Sequence, residues 1–136
     1  MDCIFCKIAA GEIPAIKVLD EERVIAFMDI NPATPGHLLV IPKRHAENIF
    51  EIPESDLAAL MKGVKKCARA VRDALNAGGV TILQLNGKAS DQIVSHIHVH
   101  VLPRQENDGL SVTAWELKPG DMKEIQAIAD KVKERV

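Results

Sequence analysis

Between Ser55 and Gly79 the apolar residues Leu57, Leu60, Met61, Val64, Cys67, Ala68, Val71 and Leu75 recur at helical spacing. Lys62, Lys65, Lys66, Arg69 and Arg72 fall on the other side. The pattern predicts an amphipathic helix with Ser55 as N-cap, a solvated basic face and an end at Gly78-Gly79. A last helix is predicted from about Asp121, with Met122, Ile125, Ile128, Ala129 and Val132 as its apolar stripe. Residues 3–10 suit a short helix stopped near Gly11 and Pro14. The other apolar runs are short and β-rich. Strands are predicted at 16–19 and 24–28 around the charged turn 20–23, and at 38–41, closed by Pro42 after the turn signal Pro32…Pro35-Gly36. Two more are predicted at 80–85 and 94–102, the latter stopped by Pro103, with a polar loop at 86–92 between them. Strands joined by short turns favour antiparallel pairing. One sheet with helices laid on it gives an α+β domain that keeps one face free for a site.

A chain of 136 residues suits one domain, 1–136, around one core. The 47% hydrophobic and 26% charged residues are the balance of a soluble globular protein. A net charge of −2, no tyrosine and one tryptophan argue against a nucleic-acid partner, whether bound on a basic face or on an aromatic platform. No apolar run is long enough to span a bilayer, and the first residues lack the regions of a signal peptide, so no membrane partner and a cytoplasmic location are expected. Three cysteines imply no disulfide framework. Cys67 belongs to the helical stripe. The Cys3-x-x-Cys6 pair reads as either metal-binding or redox-active.

The chemistry concentrates in His96-Ile97-His98-Val99-His100. Strand alternation turns the three imidazoles to one face, with about 6.6 Å between neighbours along the chain. Ile97, Val99 and Val101 then point the other way, into the core. Histidine is not a preferred strand-filling residue, so three in register need a reason. The row suits an incidental exposed face, a metal site, or nucleophilic catalysis in which one neutral imidazole attacks phosphorus and later leaves. The loop Asn86–Gln92 beside it could aim backbone N–H groups at a phosphate, although such a composition also makes plain turns. Asp29 is a lone carboxylate in the apolar stretch 24–30. It reads either as a turn residue before Asn31-Pro32 or as an acceptor for a sugar diol.

Four stretches carry a specific resemblance: Cys3-Ile4-Phe5-Cys6-Lys7-Ile8 with Gly11-Glu12-Ile13-Pro14; Ala26-Phe27-Met28-Asp29-Ile30; Pro35-Gly36-His37-Leu38-Leu39-Val40-Ile41-Pro42-Lys43-Arg44-His45; and His96 to Arg104. In this order they cover nearly the whole chain, which resembles the histidine-triad superfamily in its branch of small nucleotide-binding proteins. The resemblance implies an α+β fold with an antiparallel five-stranded sheet, a long helix and a C-terminal helix, the sheet continuing across a homodimer.

The resemblance also implies an enzyme that cleaves at the α-phosphorus of nucleoside 5′-phosphoramidates or adenylates through a nucleotidyl-histidine intermediate, with an AMP-like purine nucleotide as its small-molecule partner. His98 would attack through Nε2, while its other nitrogen would donate to a backbone carbonyl, that of His96. His100 would touch the phosphate oxygens, His96 would complete the triad, and His37 would support the row from behind. Asp29 would take the ribose hydroxyls. Phe5, Ile8, Ile13, Phe27, Ile30 and Leu39 would wall the base, with Asn86 and Gln92 on the phosphate side. Cys3, Cys6, His45 and His96 would bind a structural zinc ion, two thiolates and two imidazoles forming a closed tetrahedral set. Leu85, Asp91 and Ile93 depart from the family's usual Asn, Gly and Ser or Thr around the phosphate. Dinucleoside polyphosphate hydrolysis, nucleotide binding with little catalysis, and a zinc-stabilised interaction module are the alternatives.

Overall fold

The computed structural model describes residues 2–136. Its elements run α1 (Ile4–Ala9), β1 (Lys17–Asp20), β2 (Val24–Met28), β3 (Leu38–Pro42), α2 (Glu54–Leu75), β4 (Gly79–Gln84), β5 (Val99–Arg104) and α3 (Met122–Lys133). The five strands form one antiparallel sheet in the order β1-β2-β3-β5-β4. The α+β class and the five-stranded antiparallel sheet are therefore as expected.

Strand alternation sorts the side chains between two apolar layers. Val24, Ala26, Leu38, Val40, Val99 and Val101 face α2, where they meet Leu60, Val64, Cys67 and Val71. Ile25, Phe27, Leu39 and Ile41 face the other way, onto Phe5 and Ile8 of α1. Gly63 lets α2 settle closely on the sheet, since a β-carbon there would stand 2.8 Å from Val24 Cγ1. At the start of the helix, Asp56 is buried against Arg23 and Arg44.

Several details differ from the sequence expectation. The α2 helix is capped at Pro53 rather than Ser55, because a proline fits ahead of the first turn, and it closes on left-handed Asn76 before the glycine pair. Met61 and Leu75 are about half exposed, at the margins of the stripe. The basic residues of α2 are all exposed, as expected. Asp121 caps α3 through the backbone N–H groups of Lys123 and Glu124. Yet α3 buries none of its residues, so its stripe is not laid on the sheet.

The largest difference concerns the predicted strand 94–102. Regular pairing begins only at Val99 and runs through Pro103 to Arg104. Pro103 does not stop the strand; it pairs with Val80 inside the β4–β5 ladder. Upstream, the chain leaves the ladder and is pinned to the segment after β3, where the Ile97 N–H donates to the Ala46 carbonyl at 2.8 Å.

Candidate active site and metal centre

Although His96 and His98 precede the regular strand, the alternation persists. Ile97 is fully buried in the α2 layer, while His96 and His98 both pack edge-on against Phe5 of α1. His100 lies in β5 between Leu39 of β3 and Leu83 of β4. The His98 and His100 rings are 5.0 Å apart, centre to centre. The imidazole row therefore shares one face, with His96 at the end beside Cys3, Cys6 and His45 and with His98 and His100 at a cavity.

Hydrogen bonds define which nitrogen of each ring is free. His98 Nδ1–H donates to the His96 carbonyl at 2.8 Å, leaving the Nε2 lone pair unengaged. His96 Nε2–H donates to the Pro42 carbonyl at 2.8 Å, leaving Nδ1 unprotonated in the neutral ring. The Ala33 N–H donates to His37 Nδ1 at 3.0 Å. In neutral His37 the proton is then on Nε2, which lies 3.0 Å from His100 Nδ1 and 3.5 Å from Asp29 Oδ2. Donation to His100 in turn places the His100 proton on Nε2. Burial, the leading cause in each case, lowers the pKa of His37, His96, His98 and His100. For His100, repulsion from His98 and His37 adds to burial and takes it down to about 4. The row is neutral at physiological pH, the protonation state in which an imidazole is a nucleophile.

A cavity of about 580 Å³ opens beside the row. His98, His100, His37 and Asp29 line it, together with Phe5, Ile8, Ile13, Phe27, Ile30 and Leu39. Asp29 and His37 stand one step beyond the regular β2–β3 ladder, joined by Asp29 N–H to His37 carbonyl at 3.0 Å, so the sheet itself brings them to the rim. The expected wall residue Ile30 is 84% exposed and belongs to the mouth rather than the floor. Asn86 and Gln92 do not line the cavity. Asn86 exchanges two hydrogen bonds with Gln84, and Gln92 ties the loop to Gly87, Glu47 and Val94. Of the three departures, Asp91 and Ile93 line the cavity and Leu85 does not. Ile4, Ile16 and Val94 are among the lining residues that the sequence did not single out. Apolar character alone does not distinguish a cavity wall from a core, so their sequence carried no signal for this role.

Cys3, Cys6, His45 and His96 converge as expected, with their ligand atoms all within 4.8 Å of one another. The separations are 3.4 Å for Cys3 Sγ to His96 Nδ1, 3.4 Å for Cys6 Sγ to His45 Nδ1, 3.5 Å for Cys6 Sγ to His96 Nδ1 and 3.2 Å for His45 Nδ1 to His96 Nδ1. A tetrahedron with metal–sulfur bonds of about 2.3 Å and metal–nitrogen bonds of about 2.0 Å has edges of roughly 3.3–3.8 Å, so this donor set fits one ion. Four such donors could hold a metal, and the bond from His96 to Pro42 is the outer-shell support such a ligand needs.

The HIT domain model matches residues 10–107. The chain belongs to the HIT family. Among its relatives, the adenosine 5′-monophosphoramidase of Schizosaccharomyces pombe is 36% identical over 137 residues, covering 100% of this chain and 99% of that protein. Of the solved HIT structures, one from Bacillus subtilis superposes with a TM-score of 0.92 at 39% identity, covering 100% of this chain and 98% of that one. A zinc-bound histidine triad family protein from Mycobacterium smegmatis superposes with a TM-score of 0.78 at 35% identity, covering 100% and 99%. The HIT membership places this protein among nucleotide-binding hydrolases. No helix of the described residues is long and apolar enough to cross a membrane.

Proposed function

We propose that this HIT protein hydrolyses nucleoside 5′-phosphoramidates and related adenylates, carrying the nucleotidyl group on His98. The observation that supports it is the bond from His98 Nδ1–H to the His96 carbonyl, which leaves a neutral Nε2 lone pair at the cavity. Nε2 attacks the α-phosphorus as the P–N bond breaks, and the leaving nitrogen keeps the bonding pair and takes its proton from solvent water at the open mouth. His100 Nε2–H donates to a phosphate oxygen as charge builds there. Water then displaces His98 from phosphorus, releasing the nucleoside monophosphate. Phe5, Ile8, Ile13, Phe27, Ile30 and Leu39 take an AMP-like purine, and Asp29 accepts from its ribose hydroxyls.

Cys3, Cys6, His45 and His96 are proposed to hold Zn²⁺ as a structural ion. When bound, it would stabilise the join between the N-terminal segment and the turn that presents His98. A homodimer is proposed across β4, whose outer edge has no partner strand among the described residues and exposes Ile82. The test is turnover of adenosine 5′-phosphoramidate by wild type and His98→Ala. Release of AMP by wild type alone is expected. Equal rates, or tight AMP binding by a wild type that turns nothing over, would reject the hydrolase.

A further inference from the structure

Resting on the hydrolase reading, we propose that Asp91 selects substrates by the charge of their leaving group, favouring a cationic amine and disfavouring anionic groups, polyphosphate included. The cavity is lined by no lysine or arginine among the described residues, and its only carboxylates are Asp29 and Asp91. Asp29 is already engaged, accepting from the Asn31 N–H at 2.7 Å and lying 3.5 Å from His37. The Asp91 carboxylate makes no hydrogen bond or ion pair with any described residue, while its backbone is held in place. It sits at φ +67° with its backbone N–H on the Lys88 carbonyl, in a loop tied down by Gln92. Nor do neighbouring imidazoles offset it, since burial keeps His37 and His100 neutral.

Position decides which part of a substrate meets this charge. His98 is 6% exposed and forms the floor, while Asp91 and the 91%-exposed Ile93 stand at the mouth. In-line displacement puts the leaving group opposite the attacking Nε2, and so toward the mouth. The apolar floor and Asp29 keep the nucleoside. An anionic leaving group therefore approaches an unneutralised carboxylate, and a cationic one is drawn to it. For unit charges on the order of 7 Å apart in a partly aqueous setting, the effect is about fivefold in kcat/KM per unit charge.

The experiment compares three adenosine 5′-phosphoramidates of similar size, whose amine substituent ends in an ammonium, a methyl or a carboxylate group, on wild type and Asp91→Asn. Asparagine keeps the shape and tolerates the positive φ, so the fold is expected to survive. Wild type is expected to prefer ammonium over methyl over carboxylate by about fivefold per step, and Asp91→Asn to compress each step below about twofold. Absence of the order in wild type, or unchanged steps in Asp91→Asn, would overturn the proposal. Calorimetric binding of the same compounds to His98→Ala, with and without Asp91→Asn, separates the two ideas. A charge order in binding that needs Asp91, together with a wild type that turns none of the compounds over, retains the selection and removes the hydrolase. Turnover without a charge order does the reverse.

Discussion

His37 never has to touch a reacting atom, yet its two nitrogens fix the outer histidine of the row, and two substitutions separate them. Asparagine can replace Nδ1 as the acceptor for Ala33 N–H but is too short to reach His100. Glutamine can replace Nε2 as the donor to His100 Nδ1 but leaves Ala33 without its acceptor. Without a donor at Nδ1, His100 is free to place its own proton there and to withdraw the Nε2–H from the cavity. A neutral hydrogen bond contributes about 0.5–1.5 kcal/mol, so His37→Asn should lower kcat/KM for adenosine 5′-phosphoramidate by about tenfold. His37→Gln should stay within about threefold of wild type while losing about 1 kcal/mol of stability at the Ala33 turn. Steady-state kinetics and urea unfolding of the same samples read the two effects. Equal activities for the two variants, or a fully active His37→Asn, would refute the relay.

Three further outcomes follow from the geometry. Purified protein should carry about one zinc per chain by plasma mass spectrometry, and His45→Ala or chelation should remove it and lower the melting temperature; a metal-free wild type of equal stability would count against the centre. Acid should destabilise the fold. The unfolded chain protonates His100 near its ordinary 6.5 while the folded chain resists to about 4. Stability therefore falls as pH drops through that window, by up to about 3 kcal/mol, and urea midpoints should show a shallower decline in His100→Gln. Gly36→Ala should cost about 2–4 kcal/mol, because φ is +92° and a β-carbon would meet Leu75 Cδ1 at 2.5 Å and Pro103 Cγ at 2.9 Å; a wild-type unfolding midpoint would contradict this.

Much of the architecture was legible because the two hydrophobic periods were clean. The stripe Leu60–Val64–Cys67–Val71 identified the face of α2, and the alternation through Ile97, Val99 and Val101 identified the face that carries the histidines. Boundaries were less legible where a proline or a tertiary contact overrode the local signal. Pro103 sits inside the β4–β5 ladder, and residues 94–98 trade strand pairing for an anchor on Ala46. The donor set Cys3, Cys6, His45 and His96 rested on resemblance, since no local spacing brings residues so far apart in sequence to one point. The roles expected of Asn86 and Gln92 met a competing use, the fastening of their own loop, which composition does not reveal. The Ala33–His37–His100 chain of hydrogen bonds was invisible for a similar reason: it needs the geometry of a turn that sequence marks only as a turn. The exposure of the α3 stripe is likewise a property of the assembled chain, since periodicity says which side of a helix is apolar and not whether anything covers it.

The most direct measurement is intact-protein mass spectrometry after brief mixing with an adenosine 5′-phosphoramidate and an acid-free quench. Wild type should gain the mass of one adenylyl group transiently, located on His98 by fragmentation, and His98→Ala should gain none. An adduct that persists in His98→Ala, or turnover by wild type with no adduct at any mixing time short of the catalytic cycle, would contradict the account.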